Sequence, residues 1–365
     1  MTHRPRLLHV VGARPNFMKI APVLRALEDA EATDNVLMHS GQHYDQSMSG
    51  AFFSDLAMRE PDVNLGVGSG THGVQTAEVL RGTEEILMDG RWDYVVVVGD
   101  VNSTLAAALA AVKLGIPVAH VEAGLRSRDR QMPEEINRIL TDQISSLCLT
   151  PSRDADVNLA DEGIEPHRIA FVGNVMIDSL RRTLETSRSG PSIVPDLKPG
   201  HYVLATLHRP SNVDDPLRLR EIVTALERIA LEVPVVFPVH PRTEKALRSA
   251  KIQVNARVRV MDPVGYRDVL RLQADAGLVM TDSGGMQEET TVLGVPCLTL
   301  RSSTERPVTI TEGTNRLVPE RTTEAILAAF EEAWGRDSHP RTPEGWDGKA
   351  GERIRARLHE ALGLP

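Results

Sequence analysis

Short runs of consecutive apolar residues alternate with longer amphipathic stretches along most of this 365-residue chain. A run such as Tyr94–Val98 has no polar face, so as a strand it must be covered on both sides, which is typical of a parallel sheet flanked by helices. The stretches between the runs, such as residues 17–28, carry apolar residues at helical spacing and supply those covering layers. The alternation predicts an α/β fold.

Gly, Pro and Ser interrupt this alternation at residues 187–195 and indicate a linker. The chain is also too long for one ordinary hydrophobic core. We therefore expect two doubly wound domains at residues 1–186 and 201–345, a linker at residues 187–200 and a last helix at residues 346–365. The predicted strands are residues 7–11, 36–40, 94–98, 117–121, 147–150 and 169–172, followed by 202–206, 235–239, 258–261, 278–281 and 297–300.

Composition excludes several classes of protein. A net charge of -9 argues against nucleic acid and against an anionic membrane as partners. Cys148 and Cys297, the two cysteines, lie in apolar runs of different halves, so we expect reduced core residues. No apolar stretch reaches membrane-spanning length and no signal sequence is recognisable, so we expect a cytoplasmic protein.

The segment DSGGMQEE follows a predicted strand and opens a predicted helix. Ser283 is expected to cap that helix, and Gly284 and Gly285 let a ligand approach the backbone, whose free N–H groups attract anions. Glu288 or Glu289, one turn later, can accept hydrogen bonds from sugar hydroxyls. The segment predicts a site for a phosphate joined to a sugar, and the alternative is an ordinary strand-to-helix turn with a serine cap.

Other polar residues follow predicted strands, at the sheet edge where ligands bind in open parallel sheets. Arg14 and Lys19 lie near the start of a helix, where positive charge opposes the helix dipole and needs an acidic partner or a ligand. Grouped carboxylates raise one another's pKa, so one site can hold both an acid and a base. The alternative is that Asp100 and Glu134 cap helices and that the histidines are structural. The remaining candidates at strand ends are Asp100, Glu122, Glu134, His208, Arg209 and His240.

Residues 68–73 match the dinucleotide pattern G-x-G-x-x-G, but no convincing strand precedes them. Asp93, about twenty residues further on, stands at the start of a strand, where it cannot contact a ribose beyond the strand's end. We therefore expect a glycine-rich loop and no redox cofactor. The spacing of the histidines and cysteines predicts no metal site.

Several motifs follow one another in a fixed order over about residues 7–318. They are GARP with Lys19, GQH at residues 41–43, Gly99-Asp100, HVEAGLR at residues 120–126, PEEINR at residues 133–138, His208-Arg209 and DSGGMQEE. Together they resemble the non-hydrolysing UDP-N-acetylglucosamine 2-epimerases. The resemblance implies a GT-B fold of two Rossmann-like domains with the active site in the cleft, and a C-terminal helix that crosses back to the first domain.

The resemblance implies reversible epimerisation of UDP-GlcNAc to UDP-ManNAc by elimination of UDP to a 2-acetamidoglucal and re-addition, without a redox cofactor. The C2 proton is not acidic, so this route needs acid–base groups on both faces of the sugar and donors that hold UDP. Three alternatives stay open. They are a 2-epimerase of UDP-2,3-diacetamido-2,3-dideoxyglucuronic acid, a hydrolysing epimerase that releases ManNAc and UDP, and a GT-B glycosyltransferase.

Matching motifs imply Asp100, Glu122 and Glu134 as the acid–base residues and His208 as a contact of the diphosphate, without assigning which carboxylate abstracts the proton. Glu289 is expected on the ribose. The resemblance also implies a homodimer, and a second UDP-GlcNAc as allosteric effector near Gln42, although residues 66–73 lack the basic residue such a site would use. The expected substrate-binding set is Arg14, Lys19, Gln42, His43, Arg138, Arg209, His240, Ser283, Gly284, Gly285 and Glu289.

Overall fold

The chain forms two compact units, each built around a parallel sheet. One unit comprises Met1–Arg181 together with Glu344–Pro365, and the other comprises Arg182–Pro343. The expected α/β class, with two Rossmann-like sheets of the kind found in GT-B proteins, is confirmed. The structure, a computed structural model, describes residues 4–41, 58–187, 191–336 and 338–365.

The first unit contains seven strands within the described ranges. These are β1 (Arg6–Val11), β2 (Asp34–His39), β3 (Val63–Asn64), β4 (Tyr94–Val98), β5 (Val118–Val121), β6 (Leu147–Thr150) and β7 (Ile169–Phe171). They form one sheet in the order β3-β2-β1-β4-β5-β6-β7, and all neighbouring strands are parallel. The helices that connect or follow them are α1 (Arg14–Asp29), α2 (His72–Met88), α3 (Asn102–Lys113), α4 (Pro133–Ile144), α5 (Arg153–Asp161) and α6 (Val175–Ser187).

The second unit repeats the pattern with six strands in its described part. These are β8 (Val203–Thr206), β9 (Val235–Pro238), β10 (Val258–Met261), β11 (Leu278–Thr281), β12 (Cys297–Thr299) and β13 (Asn315–Leu317). Their order is β10-β9-β8-β11-β12-β13, and again every pair is parallel. The helices are α7 (Pro210–Val213), α8 (Pro216–Ile229), α9 (Pro241–Ser249), α10 (Tyr266–Asp275), α11 (Gly284–Leu293), α12 (Val308–Thr311) and α13 (Thr323–Ala333).

Each sheet reverses its strand order at one point. In the first sheet this switch point lies between β1 and β4, and in the second it lies between β8 and β11. The loops that leave two such strands run in opposite directions, so a crevice opens at their carboxyl ends, where open α/β sheets bind ligands. The residues that directly follow these four strands are therefore the ones placed for binding.

Burial explains why the apolar runs form the central strands. Every residue of β4 is buried, with α3 packed over the strand through a row of alanines. Cys148 in β6 and Cys297 in β12 are buried free thiols, and burial raises their pKa values to about 12 and about 11, as expected for reduced core residues. Among the helices of the described ranges, none is long and apolar enough to cross a membrane.

The last helix, α14 (Ala350–Leu362), belongs to the first unit and packs on α1. The Asp178 carboxylate on α6 accepts hydrogen bonds from the N–H groups of Ala350 at 3.2 Å and Gly351 at 2.8 Å, so it satisfies the start of α14. Burial raises the pKa of Asp178 to about 6, although these two N–H groups act in the opposite direction. The start of α14 is thus held by the partly buried Asp178 carboxylate, which accepts hydrogen bonds from two of its backbone N–H groups.

Candidate active site

The loop after β1 is tied to the end of β4 by the buried side chain of Asn16. Its Oδ1 accepts hydrogen bonds from the N–H groups of Gly12 at 3.2 Å and Ala13 at 2.9 Å. Its Nδ2 donates to the Val98 carbonyl at 3.0 Å. One amide therefore fixes the first turn of α1 at the switch point of the first sheet.

Lys19 on α1 forms an ion pair with Glu122, and both side chains are buried. The expectation that a basic residue at this helix start needs an acidic partner is confirmed for Lys19. Gly99 takes a φ of +70°, and a Cβ there would lie 3.1 Å from Lys19 Nζ and 3.5 Å from Glu122 Oε2, so a larger residue would crowd the pair. Glu122 itself has a φ of +71°, a conformation that costs about 1–3 kcal/mol and is concentrated at functional sites.

Asp100 follows β4 and contacts α4. Its Oδ2 accepts from Arg138 Nε at 3.0 Å and lies 2.8 Å from a terminal nitrogen of the same guanidinium. Asn137 Nδ2 donates to the Asp100 carbonyl at 2.9 Å. Val101 occupies the N-cap position of α3, so the alternative that Asp100 is merely a helix cap is wrong.

Glu134 lies in the first turn of α4, one turn before Arg138 on the same helix. Met132 is the N-cap, so Glu134 is not the helix cap either. Its partly exposed carboxylate forms no hydrogen bond or ion pair with any residue that the structure describes. Arg138 also pairs with the buried Glu135, so one guanidinium joins Asp100 to the helix that carries Glu134.

His120 and Asp142 form a buried pair behind these carboxylates, and the sequence had suggested no role for either. His120 Nδ1 lies 2.6 Å from Asp142 Oδ1, and its Nε2 lies 2.8 Å from the Gly99 carbonyl oxygen. Asp142 also contacts the Arg126 guanidinium at 2.7 Å. Burial alone would raise the pKa of Asp142, but His120 and Arg126 bring it below its ordinary value.

At the second switch point, the buried Asp282 organises the loop that follows β8. Its carboxylate accepts from the N–H groups of His208 at 3.1 Å and Arg209 at 2.9 Å, and from Asn212 Nδ2 at 3.0 Å. His208 Nδ1 lies 2.9 Å from Asp282 Oδ1. Burial would raise the pKa of Asp282, yet His208 and the other donors lower it. The end of β11 thus fixes the residues that follow β8.

The structure brings His240 close to His208, with the ring centroids 5.7 Å apart. His240 Nδ1 accepts from the N–H of Arg242 at 3.2 Å and so caps α9, which is the structural role considered for it. Burial is the main cause that lowers the pKa of His240, and the charge of His208 lowers it further.

Ser283 occupies the N-cap position of α11, but the prediction that its side chain caps the helix is wrong. Within the described chain its hydroxyl makes no cap hydrogen bond. The residue is held through its backbone instead, because its N–H donates to Thr281 Oγ1 at 3.0 Å and its carbonyl accepts from Gln287 Nε2 at 3.1 Å. Gly284 and the partly exposed Gly285 begin the helix, so its first N–H groups have no side-chain acceptor from Ser283.

Arg306 packs against this helix start. A Cβ on Gly284 would lie 2.7 Å from a terminal nitrogen of Arg306 and 2.9 Å from Glu305 Oε1, so only glycine fits between the helix and the arginine. Arg306 pairs with Glu288 at 2.9 Å and also with Glu305. Glu288, which the sequence analysis considered as an acceptor for sugar hydroxyls, is therefore part of a buried ion pair.

Two further arginines join this cluster. Arg301 donates to Glu305 at 2.7 Å, and Arg209 lies 3.8 Å from the other oxygen of Glu305. With Arg306 and Glu288, three arginines and two glutamates form one cluster of charged side chains beside the start of α11. The sequence analysis missed Arg301, Glu305 and Arg306. Arg301 could have been identified from the sequence, because it follows the carboxyl end of β12 just as the predicted site residues follow the ends of their own strands.

Glu289 lies on α11 and is fully buried. Its Oε1 accepts from the Tyr266 hydroxyl at 2.8 Å, and its Oε2 accepts from Gln273 Nε2 at 2.7 Å. Burial raises the pKa of Glu289 to about 7, against the opposing effect of these two donors. A carboxylate oxygen has two lone pairs, so each oxygen retains one for a further hydroxyl. Contact with a ribose stays a prediction.

Three expected ligand contacts lie outside what the structure describes. Gln42 and His43 fall outside the described residues, as does the side chain of Arg14, although the backbone of Arg14 begins α1. Across the described ranges, no group of three or more His, Cys, Asp and Glu residues is placed to hold a metal ion.

Comparison with known proteins gives concordant results. A family model described as UDP-N-acetylglucosamine 2-epimerase matches residues 25–359. The UDP-N-acetylglucosamine 2-epimerase of Methanocaldococcus jannaschii is 43% identical over 96% of this chain and 97% of its own length. The UDP-2,3-diacetamido-2,3-dideoxy-D-glucuronate 2-epimerase of Pseudomonas aeruginosa is 44% identical over 86% of this chain and 88% of its own.

A crystal structure of the Methanocaldococcus jannaschii enzyme in complex with UDP-GlcNAc and UDP has the same fold. It superposes with a TM-score of 0.89, covers 97% of this chain and 99% of its own, and is 42% identical in sequence. The resemblance seen in the ordered motifs is thus confirmed over nearly the whole length. The chain belongs to the UDP-N-acetylglucosamine 2-epimerase family.

Proposed function

We propose that this protein interconverts UDP-GlcNAc and UDP-ManNAc by eliminating UDP to a 2-acetamidoglucal and adding it back, without hydrolysis and without a redox cofactor. The observation that carries the proposal is the contrast between the two switch points. One holds the candidate acid–base carboxylates Asp100 and Glu122 beside buried cations. The other holds a helix start without a side-chain cap next to a cluster that contains three arginines, which suits a diphosphate.

The second unit is proposed to bind UDP. The first N–H groups of α11, the Ser283 hydroxyl and the positive helix end would hold phosphate oxygens. His208 is proposed to contact the diphosphate through Nε2, because Nδ1 is already engaged by Asp282. Glu289, four residues beyond Gly285 on α11, is proposed to accept from the ribose hydroxyls. The relative from Methanocaldococcus jannaschii was crystallised in complex with UDP-GlcNAc and UDP, which supports UDP-GlcNAc and UDP as ligands of this chain.

The first unit is proposed to supply the proton transfers. In the first half-reaction a carboxylate takes the C2 proton, the electron pair forms the C1–C2 double bond, and the bond from C1 to the UDP oxygen breaks. In the second, a protonated carboxyl returns a proton to the opposite face of C2 and the UDP oxygen bonds to C1 again. Positioned acids and bases contribute about 10²–10⁴-fold to such steps. Asp100, Glu122 and Glu134 are the proposed groups.

The leaving group and the glycal must stay bound between the two halves of the reaction. We propose that Arg14, Lys19, Arg138 and Arg209 help to retain the anionic UDP, since a fully formed diphosphate needs cationic partners. Lys19 and Arg138 each pair with a candidate carboxylate in the ligand-free protein. Substrate phosphates would compete for those cations.

Proton NMR of the protein with UDP-GlcNAc in D₂O, without added nicotinamide, tests the proposal. UDP-ManNAc carrying deuterium at C2 is the expected product. Free ManNAc with UDP would contradict the non-hydrolysing reaction. An unchanged spectrum from protein that binds UDP would contradict UDP-GlcNAc as the substrate or favour a glycosyltransferase.

Asp100→Asn should abolish the exchange with the fold intact. Glu85→Gln is the matched control, because it neutralises an exposed carboxylate that pairs only with Arg81 on the surface of α2. Loss of exchange in both variants, or in neither, would remove Asp100 from the proposed mechanism.

A second candidate substrate is UDP-2,3-diacetamido-2,3-dideoxyglucuronic acid. The relative from Pseudomonas aeruginosa that is named for this reaction is as similar to the chain as the UDP-GlcNAc enzyme is. The same NMR experiment with both sugar nucleotides separates the two substrates. A kcat/KM at least a hundredfold higher for the uronate would assign it as the substrate.

A further inference from the structure

His120 in β5 is buried with an acceptor at each ring nitrogen. Nδ1 lies 2.6 Å from Asp142 Oδ1, and Nε2 lies 2.8 Å from the Gly99 carbonyl oxygen. A carbonyl oxygen only accepts hydrogen bonds, so Nε2 must donate. If Asp142 is a carboxylate, Nδ1 must donate as well, and the ring is then an imidazolium.

The surroundings of Asp142 keep it ionised. Its Oδ2 accepts from the Gly124 N–H at 3.1 Å and lies 2.7 Å from the Arg126 guanidinium. Arg168 donates to the backbone carbonyl of Asp142 at 3.2 Å and adds positive charge nearby. Cys148 is the other titratable neighbour, and its thiol donates to the same carbonyl at 3.6 Å. Asp142 and His120 therefore form a buried ion pair.

This pair acts on the backbone that carries Asp100. His120 holds the carbonyl of Gly99, and Asn137 holds the carbonyl of Asp100 at 2.9 Å. Two consecutive peptide carbonyls are thus each fixed by a buried side chain. These contacts fix the point from which the Asp100 side chain leaves the backbone, and Arg138 then holds its carboxylate.

The same pair acts on the backbone that carries Glu122. Glu122 lies between His120, which is buried in β5, and Gly124, whose N–H is held by Asp142. Gly124 takes its positive φ of +82° without strain, but Glu122 at +71° does not, so the turn needs support from its surroundings. The Asp142 carboxylate provides this support directly after the turn.

We propose that the His120–Asp142 ion pair positions Asp100 and Glu122 for proton transfer at C2 of the sugar. The proposal rests on the proposed epimerisation. Because His120 is completely buried, it acts through the Gly99 carbonyl and is a positioning residue with no substrate contact of its own.

His9 in β1 provides a matched control in the same sheet. It is equally buried, and its Nε2 lies 2.9 Å from Asn35 Oδ1. Burial lowers the pKa of His9 to about 4, so this ring is neutral, and it has no contact with the backbone of Asp100 or Glu122. Replacing His9 removes a buried imidazole without disturbing the carboxylates.

Two substitutions of His120 separate its contacts. A glutamine amide reaches the position of Nε2 and preserves donation to Gly99, whereas an asparagine amide reaches only the position of Nδ1. His120→Asn should lower kcat about a hundredfold, the loss expected from a displacement of about 1 Å, with KM changed less than twofold. His120→Gln should stay within about tenfold of the wild type. His9→Asn and His9→Gln should leave kcat unchanged.

Equal loss of kcat in both His120 variants, or a rise in KM alone, would overturn the proposal. A second measurement, made on the wild-type protein, does not depend on turnover. In ¹⁵N-histidine-labelled wild-type protein at pH 7.5, the ring assigned by its absence from His120→Gln should show two protonated nitrogens. A neutral ring would overturn the ion pair. Absence of wild-type epimerisation with protonated nitrogens would instead overturn the proposed function.

Discussion

A fully buried carboxylate lies behind the switch point of each sheet, Asp142 on α4 in the first unit and Glu289 on α11 in the second. Asp142 is surrounded by groups that carry positive charge, the His120 ring at 2.6 Å and the Arg126 guanidinium at 2.7 Å. Burial alone would raise its pKa, but the two charges reverse the shift. Asp142 is therefore ionised at neutral pH.

Glu289 has the same number of close side-chain donors, but they are neutral. Tyr266 and Gln273 each donate one hydrogen bond, and the pKa of Glu289 rises to about 7 because burial outweighs both. The two neutral donors do not offset the burial of Glu289, whereas the charged neighbours of Asp142 do. In this pair, the neighbouring charge thus decides which carboxylate stabilises the fold as an anion.

Removing Asp142 tests the charged case and should have the largest effect. Asp142→Asn leaves His120 without its buried counter-ion and removes one of the two carboxylates that pair with Arg126, so the free energy of unfolding at pH 7.5 should fall by about 3–5 kcal/mol. Because its pKa is lowered in the folded state, this contribution is present above the ordinary value of 3.8 and is lost as the pH falls through the folded pKa.

Urea unfolding of wild type and variant measures this loss. Asp196→Asn is the control, since it breaks only an exposed ion pair with Arg259 and should cost less than about 1 kcal/mol. A loss for Asp142→Asn no larger than that of the control would contradict the assignment of a buried ion pair.

Glu289→Gln tests the neutral case and should act in the opposite direction. The pKa of Glu289 is raised from 4.5 to about 7, so its contribution to stability is present below pH 4.5 and is lost as the pH rises through 7. A glutamine does not titrate, so between pH 4.5 and pH 8 the free energy of unfolding of the variant should rise by on the order of 2–3 kcal/mol relative to that of the wild type. Urea unfolding at both pH values checks this gain, and parallel pH profiles would contradict it.

Asp178 is an intermediate case, held by the backbone N–H groups of Ala350 and Gly351. Its pKa is raised from 3.8 to about 6, so wild type should lose stability as the pH rises from 4 to 7. Asp178→Asn should flatten this part of the profile by about 1–2 kcal/mol. The measurement is the difference in unfolding free energy between wild type and variant across that pH range, and a difference that does not change with pH would contradict the raised pKa of Asp178.

Ser283 provides a comparison with a polar side chain that does not stabilise the fold, because its hydroxyl makes no cap hydrogen bond in the described chain. Ser283→Ala should change the free energy of unfolding by less than about 0.5 kcal/mol, whereas loss of a working serine cap costs about 1 kcal/mol. UDP affinity, measured by calorimetry, should fall about three- to tenfold. A destabilised variant with unchanged affinity would assign the hydroxyl to the helix after all.

The central strands were predictable because they are apolar on both faces. Tyr94–Val98, Leu147–Thr150 and Leu278–Thr281 begin and end where the sequence analysis placed them, and so does the edge strand Val258–Met261. The two strands that it missed are Val63–Asn64 and Asn315–Leu317. They have only two and three residues, some of them polar, so they leave little apolar pattern in the sequence.

The candidate site was predictable where it follows a strand and unpredictable where it depends on a partner far along the chain. Asp100 and Glu122 follow their strands, so topology alone places them at a binding edge. The pairing of His120 with Asp142 depends on how α4 packs against β5, which no local pattern records. Ser283 is a different case, since nearby residues hold its backbone and its hydroxyl makes no cap hydrogen bond in the described chain.

The return of Glu344–Pro365 to the first unit has a consequence for the order of synthesis. A ribosome releases most of that unit early, yet must translate the whole of Arg182–Pro343 before α14 emerges to cover α1. At ordinary elongation rates this interval lasts roughly ten to thirty seconds. During it, the apolar surface of α1 that α14 later covers is exposed on the nascent chain and available to chaperones.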